Sequence, residues 1–202
     1  MTHPEEIIPN QEEGAEVNVE DSVVLQNETE AASFYTVVKE RLVNINGWGK
    51  LAGALSAEFA LTDDQGKEID SYPRKGNYFK INIPAPGIIT GEGYDWVQIE
   101  EVQEEGDGES ESIAIRVRPA SSPVNDKEDV AHFLTDEATS NFIVKRQGAK
   151  ITAGVYGRNE KPNVKADTLL DKARNAIVGT GAVSGLAKLQ WKGLVNGLLE
   201  KE

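Results

Sequence analysis

The chain has 202 residues, 39% of them hydrophobic and 27% charged, with no cysteine and a formal net charge of −13. That is enough apolar material for one globular domain, and it excludes disulfides, cysteine-based zinc sites and a thiol nucleophile. The acidic balance argues against a nucleic-acid partner, because phosphate binding needs clustered Lys and Arg.

Residues 1–30 hold nine acidic side chains and no Lys or Arg, whereas 161–202 hold seven basic and four acidic ones. Within that head, residues 1–14 carry Pro4, Pro9 and Gly14 without periodicity and read as a flexible acidic arm. Residues 15–202 read as a single α+β domain. The start, MTHPEEIIPN, offers neither a basic n-region nor an apolar h-region. No stretch reaches roughly 18 uncharged apolar residues. Neither secretion nor membrane insertion is expected, and a cytoplasmic location is the default.

EVNVEDSVVLQN, 16–27, alternates at Val17 and Val19 as a first strand. ETEAASFYTVVKERL, 28–42, sets Phe34, Val37, Val38, Arg41 and Leu42 at helical spacing, with Asn27 or Thr29 as the cap. NINGWGKLAG, 44–53, breaks that helix and starts a short second one. From Leu55 the period is two. Ala57, Phe59 and Leu61 share a face, then Phe79, Ile81 and Ile83, with Pro84 to Gly87 ending that strand. Val97 and Ile99 point inward next. The acidic run from Glu100 to Glu111 reads as a solvated hairpin end around Gly106-Asp107-Gly108. Ile113, Ile115 and Val117 face one way, Arg116 and Arg118 the other. After a polar loop at 120–129, residues 140–157 form another hairpin with Gln147-Gly148 as its turn. From Asn163 the pattern is helical, with Leu169, Leu170, Ala173, Ile177 and Val178 in one stripe. Gly181, Gly185, Gly193 and Gly197 recur near one face of it, which fits close backbone packing or room for a ligand; Gly179-Thr180-Gly181 alternatively divides it into two helices.

GVYGRNEKPN, 154–163, is the densest polar cluster. Thr152, Tyr156 and Arg158 share one strand face, opposite Ile151, Ala153 and Val155. One reading is architectural: Asn163 caps a helix, Glu160 suits its amino end and Arg158 pairs with a carboxylate. The other makes Arg158 an anion clamp, with Asn159 and Glu160 polarising a bound group. In GEGYDWVQIE, 91–100, Asp95 lies between Tyr94 and Trp96. It is either a desolvated acid or a partner for local backbone. Trp96 points away from Val97 and Ile99, covering the second sheet face or lining a mouth. Arg116 and Arg118 can grip an anion or pair with Glu100 on the preceding strand.

His132 has Asp129 and Asp136 as its nearest potential co-ligands, and one histidine makes a poor metal set. No G-x-S-x-G elbow occurs. GTGAVSG, 179–185, lacks the lysine and the preceding strand of a phosphate loop. No metal and no cofactor are expected.

The order strand, helix, short helix, about six antiparallel strands and a long terminal helix resembles the helix-grip arrangement of the START and polyketide-cyclase-like superfamily. The resemblance runs over residues 16–200, with Trp48 after the first helix as a local echo. GYDWVQIE and YGRNEKPN also resemble an uncharacterised bacterial family. The helix-grip resemblance implies an α+β fold, a curved antiparallel sheet of six to seven strands wrapped around the long carboxyl-terminal helix. It implies a hollow between them that takes apolar or amphipathic ligands, with cyclisation or hydration in some members. The expectation is therefore a small-molecule-binding domain, with Trp48, Asp95, Trp96, Arg116, Tyr156, Arg158, Asn159 and Glu160 as candidate ligand-binding residues. Two alternatives stay open: an enzyme using Asp95, His132 or Glu160 as acid or base beside Arg158, and an acidic module that presents its arm to a basic partner.

Overall fold

The computed structural model describes residues 4–53, 56–83, 91–125, 128–163 and 183–201, with side chains from 188 onward in the last of these. β1 runs Ala15–Val24, followed by α1 at Glu28–Val43 and α2 at Trp48–Ala52. Six more strands follow: β2 Glu58–Thr62, β3 Tyr78–Asn82, β4 Asp95–Gly106, β5 Ser110–Pro119, β6 Thr139–Gln147 and β7 Lys150–Glu160. α3, Val183–Leu199, closes the described chain. The apolar stripe at 169–178, the Gly179–Gly181 break and the Pro84–Gly87 strand end lie outside the described residues.

The strands form one curved sheet in the order β1-β7-β6-β5-β4-β3-β2, with every neighbouring pair antiparallel. The architecture is α+β, a seven-stranded antiparallel sheet with a carboxyl-terminal helix. The alternation read from the sequence is the burial pattern. Phe59 and Leu61, Phe79 and Ile81, Val97 and Ile99, Ile113 and Ile115, and Ile151 and Ala153 all enter one core.

Local chemistry sets the joints. Asn27 caps α1 by accepting from Glu30 N at 2.9 Å, and the Glu30 carboxylate reaches back to Gln26 N. Asp107 accepts from the main-chain nitrogens of Glu109 and Ser110, which closes the β4–β5 hairpin. In the β6–β7 hairpin Gln147 pairs with Lys150, so the turn is Gly148-Ala149, one residue later than expected. Gly148 sits at φ +57, which a two-residue hairpin demands at its first position and glycine meets without strain.

The concave side carries the main core. Trp48 is fully buried there. Its ring lies 4.5 Å from Phe142, 5.6 Å from Phe59 and 5.7 Å from Phe79, centroid to centroid. Trp191 of α3 packs on Phe59 and Phe142 from the other side. Five aromatic rings thus pack together between the sheet and α3. Leu194, Val195, Leu198 and Leu199 anchor the rest of α3 in the same core. Two glycines bring it close: a Cβ at Gly193 would run into the Ala52 carbonyl, and one at Gly197 into that of Leu51. The close packing expected of this glycine rhythm is therefore made with α2 rather than with the sheet. Arg41 of α1 donates to the carbonyls of Gly197, Leu198 and Glu200, satisfying the end of α3.

The convex side is covered as well. Residues 4–14, expected to be loose, lie along it. Ile7 is buried against Ala114 and Ile143, Glu5 pairs with Lys145, and Arg116 donates to the Ile7 carbonyl at 2.9 Å. An isoleucine in an acidic run gives a tethered segment something to bury, which is why the arm docks.

Candidate functional site

β2 ends the sheet, and an edge strand presents unpaired main-chain groups. Side chains close part of that edge. Leu61 N donates to Asn46 Oδ1 at 2.7 Å, and Ala57 N to Gln190 Oε1 of α3 at 3.3 Å. Between them, antiparallel alternation turns the main-chain groups of Phe59 the same way. They face a cleft of about 540 Å³ that runs round the β2 edge. One wall is the 46–53 segment, where Gly53 leaves backbone bare, Gly49 packs on the Ala57 carbonyl and Lys50 adds a charge. The opposite wall carries Glu58, Glu68, Lys80 and Tyr94.

Lys80 is the distinctive group. Its side chain is only 18% exposed, its ammonium lies 2.8 Å from Glu68, and it stands 4.5 Å over the Tyr94 ring. Its partners are one mostly exposed carboxylate and one aromatic face. An incoming anion can replace Glu68 without leaving Lys80 unpaired. Lys80, Tyr94, Glu68 and Asn46 were missed in the sequence. Their one visible trace was a lysine on the polar side of the NYFKINIP alternation.

The residues singled out from the sequence are not brought into one site. Trp48 belongs to the core. Trp96 covers the second sheet face: it is buried, its indole donates to the Gly91 carbonyl, and Gly66 with Val124 closes over it. Asp95, also buried, accepts from Phe133 N at 2.8 Å, the local backbone role. His132 is buried and accepts from Leu134 N through Nδ1. Among the described residues no group of three or more His, Asp or Glu is placed to hold a metal.

Arg116 and Arg118 both reach Glu100, whose extra length in a β4 bulge sets it between them. Burial alone would raise the Glu100 carboxyl; hydrogen bonds and charge from Arg118, then Arg116, hold it below its usual range. Tyr156 donates to Glu20, and burial followed by that bond raises its phenol. Arg158 reaches Asn18 at 2.7 Å and Glu16 at 3.4 Å. Asn163 uses its amide to hold the carbonyls of Val130 and His132; the helix it was expected to cap lies outside the described residues.

Among the described residues, Glu160 keeps a carboxyl with no hydrogen-bond or ion-pair partner in a mostly buried setting. Burial pushes it up to about 7 against an opposing pull from Arg158. Between an unfolded value near 4.5 and that folded value, the folded chain holds a proton the unfolded chain has lost. Stability from this group is therefore lost as pH rises through the window, and levels off above it. Urea titrations at pH 5 and pH 8 should show Glu160→Gln removing a loss of about 2 kcal/mol between the two values, discounted from the full shift for partial solvation.

No family model matches the chain, and no curated protein matches it. Among solved structures, a hypothetical protein from Helicobacter pylori is 14% identical, covering 96% of this chain and 94% of that one at a TM-score of 0.47. Truncated norcoclaurine synthase from Thalictrum flavum is 11% identical, covering 96% and 100% at 0.37. Ara h 8.0201 is 11% identical, covering 93% and 100% at 0.36. The latter two are helix-grip proteins. None reaches a TM-score of 0.5, and no function is carried from them. Among the described residues no helix is long and apolar enough to cross a membrane.

Proposed function

We propose that this protein binds a small amphipathic molecule with an anionic group, in the cleft between α2 and the β2–β3 edge. The observation that supports this reading is Lys80, a mostly buried ammonium held on the cleft wall by an aromatic face and a displaceable glutamate. Ala57, Ala60 and Tyr94 of the lining offer the apolar remainder of the ligand a surface to cover, and the main-chain groups of Phe59 offer it hydrogen bonds. Open space of this size is in the range of small-ligand sites. The acid–base alternative has less support, since Asp95 and His132 each serve a neighbouring main-chain nitrogen and neither lines the cleft.

Native mass spectrometry of the purified chain should show a co-purified small molecule. Fluorescence titration with 8-anilinonaphthalene-1-sulfonate, an amphipathic anion, tests the site directly. Lys80→Ala should weaken that binding about tenfold, the loss of one charge-assisted contact, with the melting temperature nearly unchanged. Equal affinity in Lys80→Ala would refute the site.

A further inference from the structure

The bulge that ends β7 joins the two faces of the sheet. Across the pairing with β1, Ala15 meets Glu160 and Val17 meets Gly157, so β7 uses three steps where β1 uses two. Asn159 takes up the extra length at φ +56, a conformation that favours glycine. The arm on the convex face holds it there. Asn159 Oδ1 accepts from Glu12 N at 2.7 Å and Glu13 N at 3.2 Å, while Nδ2 donates to the Asn10 carbonyl at 3.2 Å. The Asn159 main-chain nitrogen adds a bond to Gln11 Oε1 at 3.0 Å. Four consecutive arm residues are thus gripped by one asparagine.

The same extra residue reverses the strand alternation beyond it. Without it Glu160 would share the outer face with Arg158. Instead its carboxyl lies over Gly157 on the side of Val17, the core-facing side, and a Cβ on Gly157 would run into it. Gly14, at φ +79, completes the joint by letting the arm pass against the Glu160 carbonyl.

We propose that residues 157–160 form a two-sided latch, in which seating Glu160 under the inner face and gripping residues 10–13 on the outer face are one conformation. Drawing Glu160 into solvent straightens the bulge, takes Asn159 out of its left-handed conformation and frees the arm. Release uncovers Ile143, Ala114 and Tyr156, flanked by Arg116 and Lys145. The surroundings of Glu160 make the seat suited to a neutral carboxyl. Arg158 on its own strand is engaged with Glu16 of β1, and Lys161 pairs with Glu13 of the arm and Glu137 before β6. Burial, the cause of its raised pKa, is opposed by Arg158 alone, so loss of the proton near neutral pH is the natural trigger.

Amide hydrogen exchange of Glu12 and Glu13 in the full chain, corrected for intrinsic rates, tests this from pH 5.5 to 8.5. Protection should fall at least tenfold as pH rises through 7 in the parent and stay high throughout in Glu160→Gln. Asn159→Ala should lose it at every pH. Constant protection in the parent overturns the latch. So does a fall that persists in Glu160→Gln, which assigns the change to another group. A carboxyl-carbon NMR titration of Glu160 in the parent gives a check independent of any variant: its midpoint and that of the arm amides must coincide.

Discussion

Trp48→Ala is expected to cost about 3–5 kcal/mol of folding stability, the range for emptying a large aromatic site in a packed core. The indole has no solvent exposure, and three phenylalanine rings surround it. Its Nε1 donates to the Leu42 carbonyl at 2.9 Å, near the end of α1, so truncation also frees a buried acceptor. The rings come from β2, β3 and β6, and little in so mixed a neighbourhood can slide in to refill the space. Trp48→Phe should recover part of the loss by restoring ring volume without the hydrogen bond. Urea denaturation with matched m-values measures both; a cost below about 1 kcal/mol would show that the site collapses and the ring is not central to the core.

Arg146→Ala is expected to cost about 3 kcal/mol, from the lost packing of a buried side chain and from three charge-assisted hydrogen bonds. The Arg146 side chain is 2% exposed. It donates to Glu111 at 2.8 Å, to the Gly108 carbonyl at 2.8 Å and to the Gly148 carbonyl at 3.1 Å. One guanidinium therefore ties together the turns of both long hairpins, and no other cation is paired with Glu111 among the described ion pairs. Removing both charges in Arg146→Met with Glu111→Leu should return part of the loss, because the orphaned carboxylate accounts for a share of it. A double variant no more stable than Arg146→Ala would place the cost in the two turn carbonyls instead.

What was legible in the sequence was local. The alternation at Ile113, Ile115 and Val117 and the N-x-x-E cap at Asn27 depend on neighbours within a few residues, and both stand in the structure. Pairing of Arg116 and Arg118 with Glu100 was readable too, since adjacent strands of a hairpin fix their own partners. The candidate site was not legible in that way. Lys80 matters because Glu68, from the β2–β3 connection, and Tyr94, just before β4, meet at its ammonium. Sequence periodicity carries no record of that meeting. The arm shows the same limit: its many glutamates predict solvation, and the single buried Ile7 outweighs them only because Ala114 and Ile143 stand together on the folded sheet. Glu160 was read as suiting a helix amino end, and the one-residue bulge at the end of β7 that sets its position leaves no trace in the alternation.

α2 is five residues long and has two neighbours of different kinds. Its carbonyls at Ala52 and Leu51 receive Gly193 and Gly197 respectively, with no side chain between. Gly49 and Lys50, from the same short piece, border the open space beside β2. A rigid spacer this thin transmits displacement rather than absorbing it. The seating of the chain's last helix therefore fixes where Gly49 and Lys50 stand at the sheet edge.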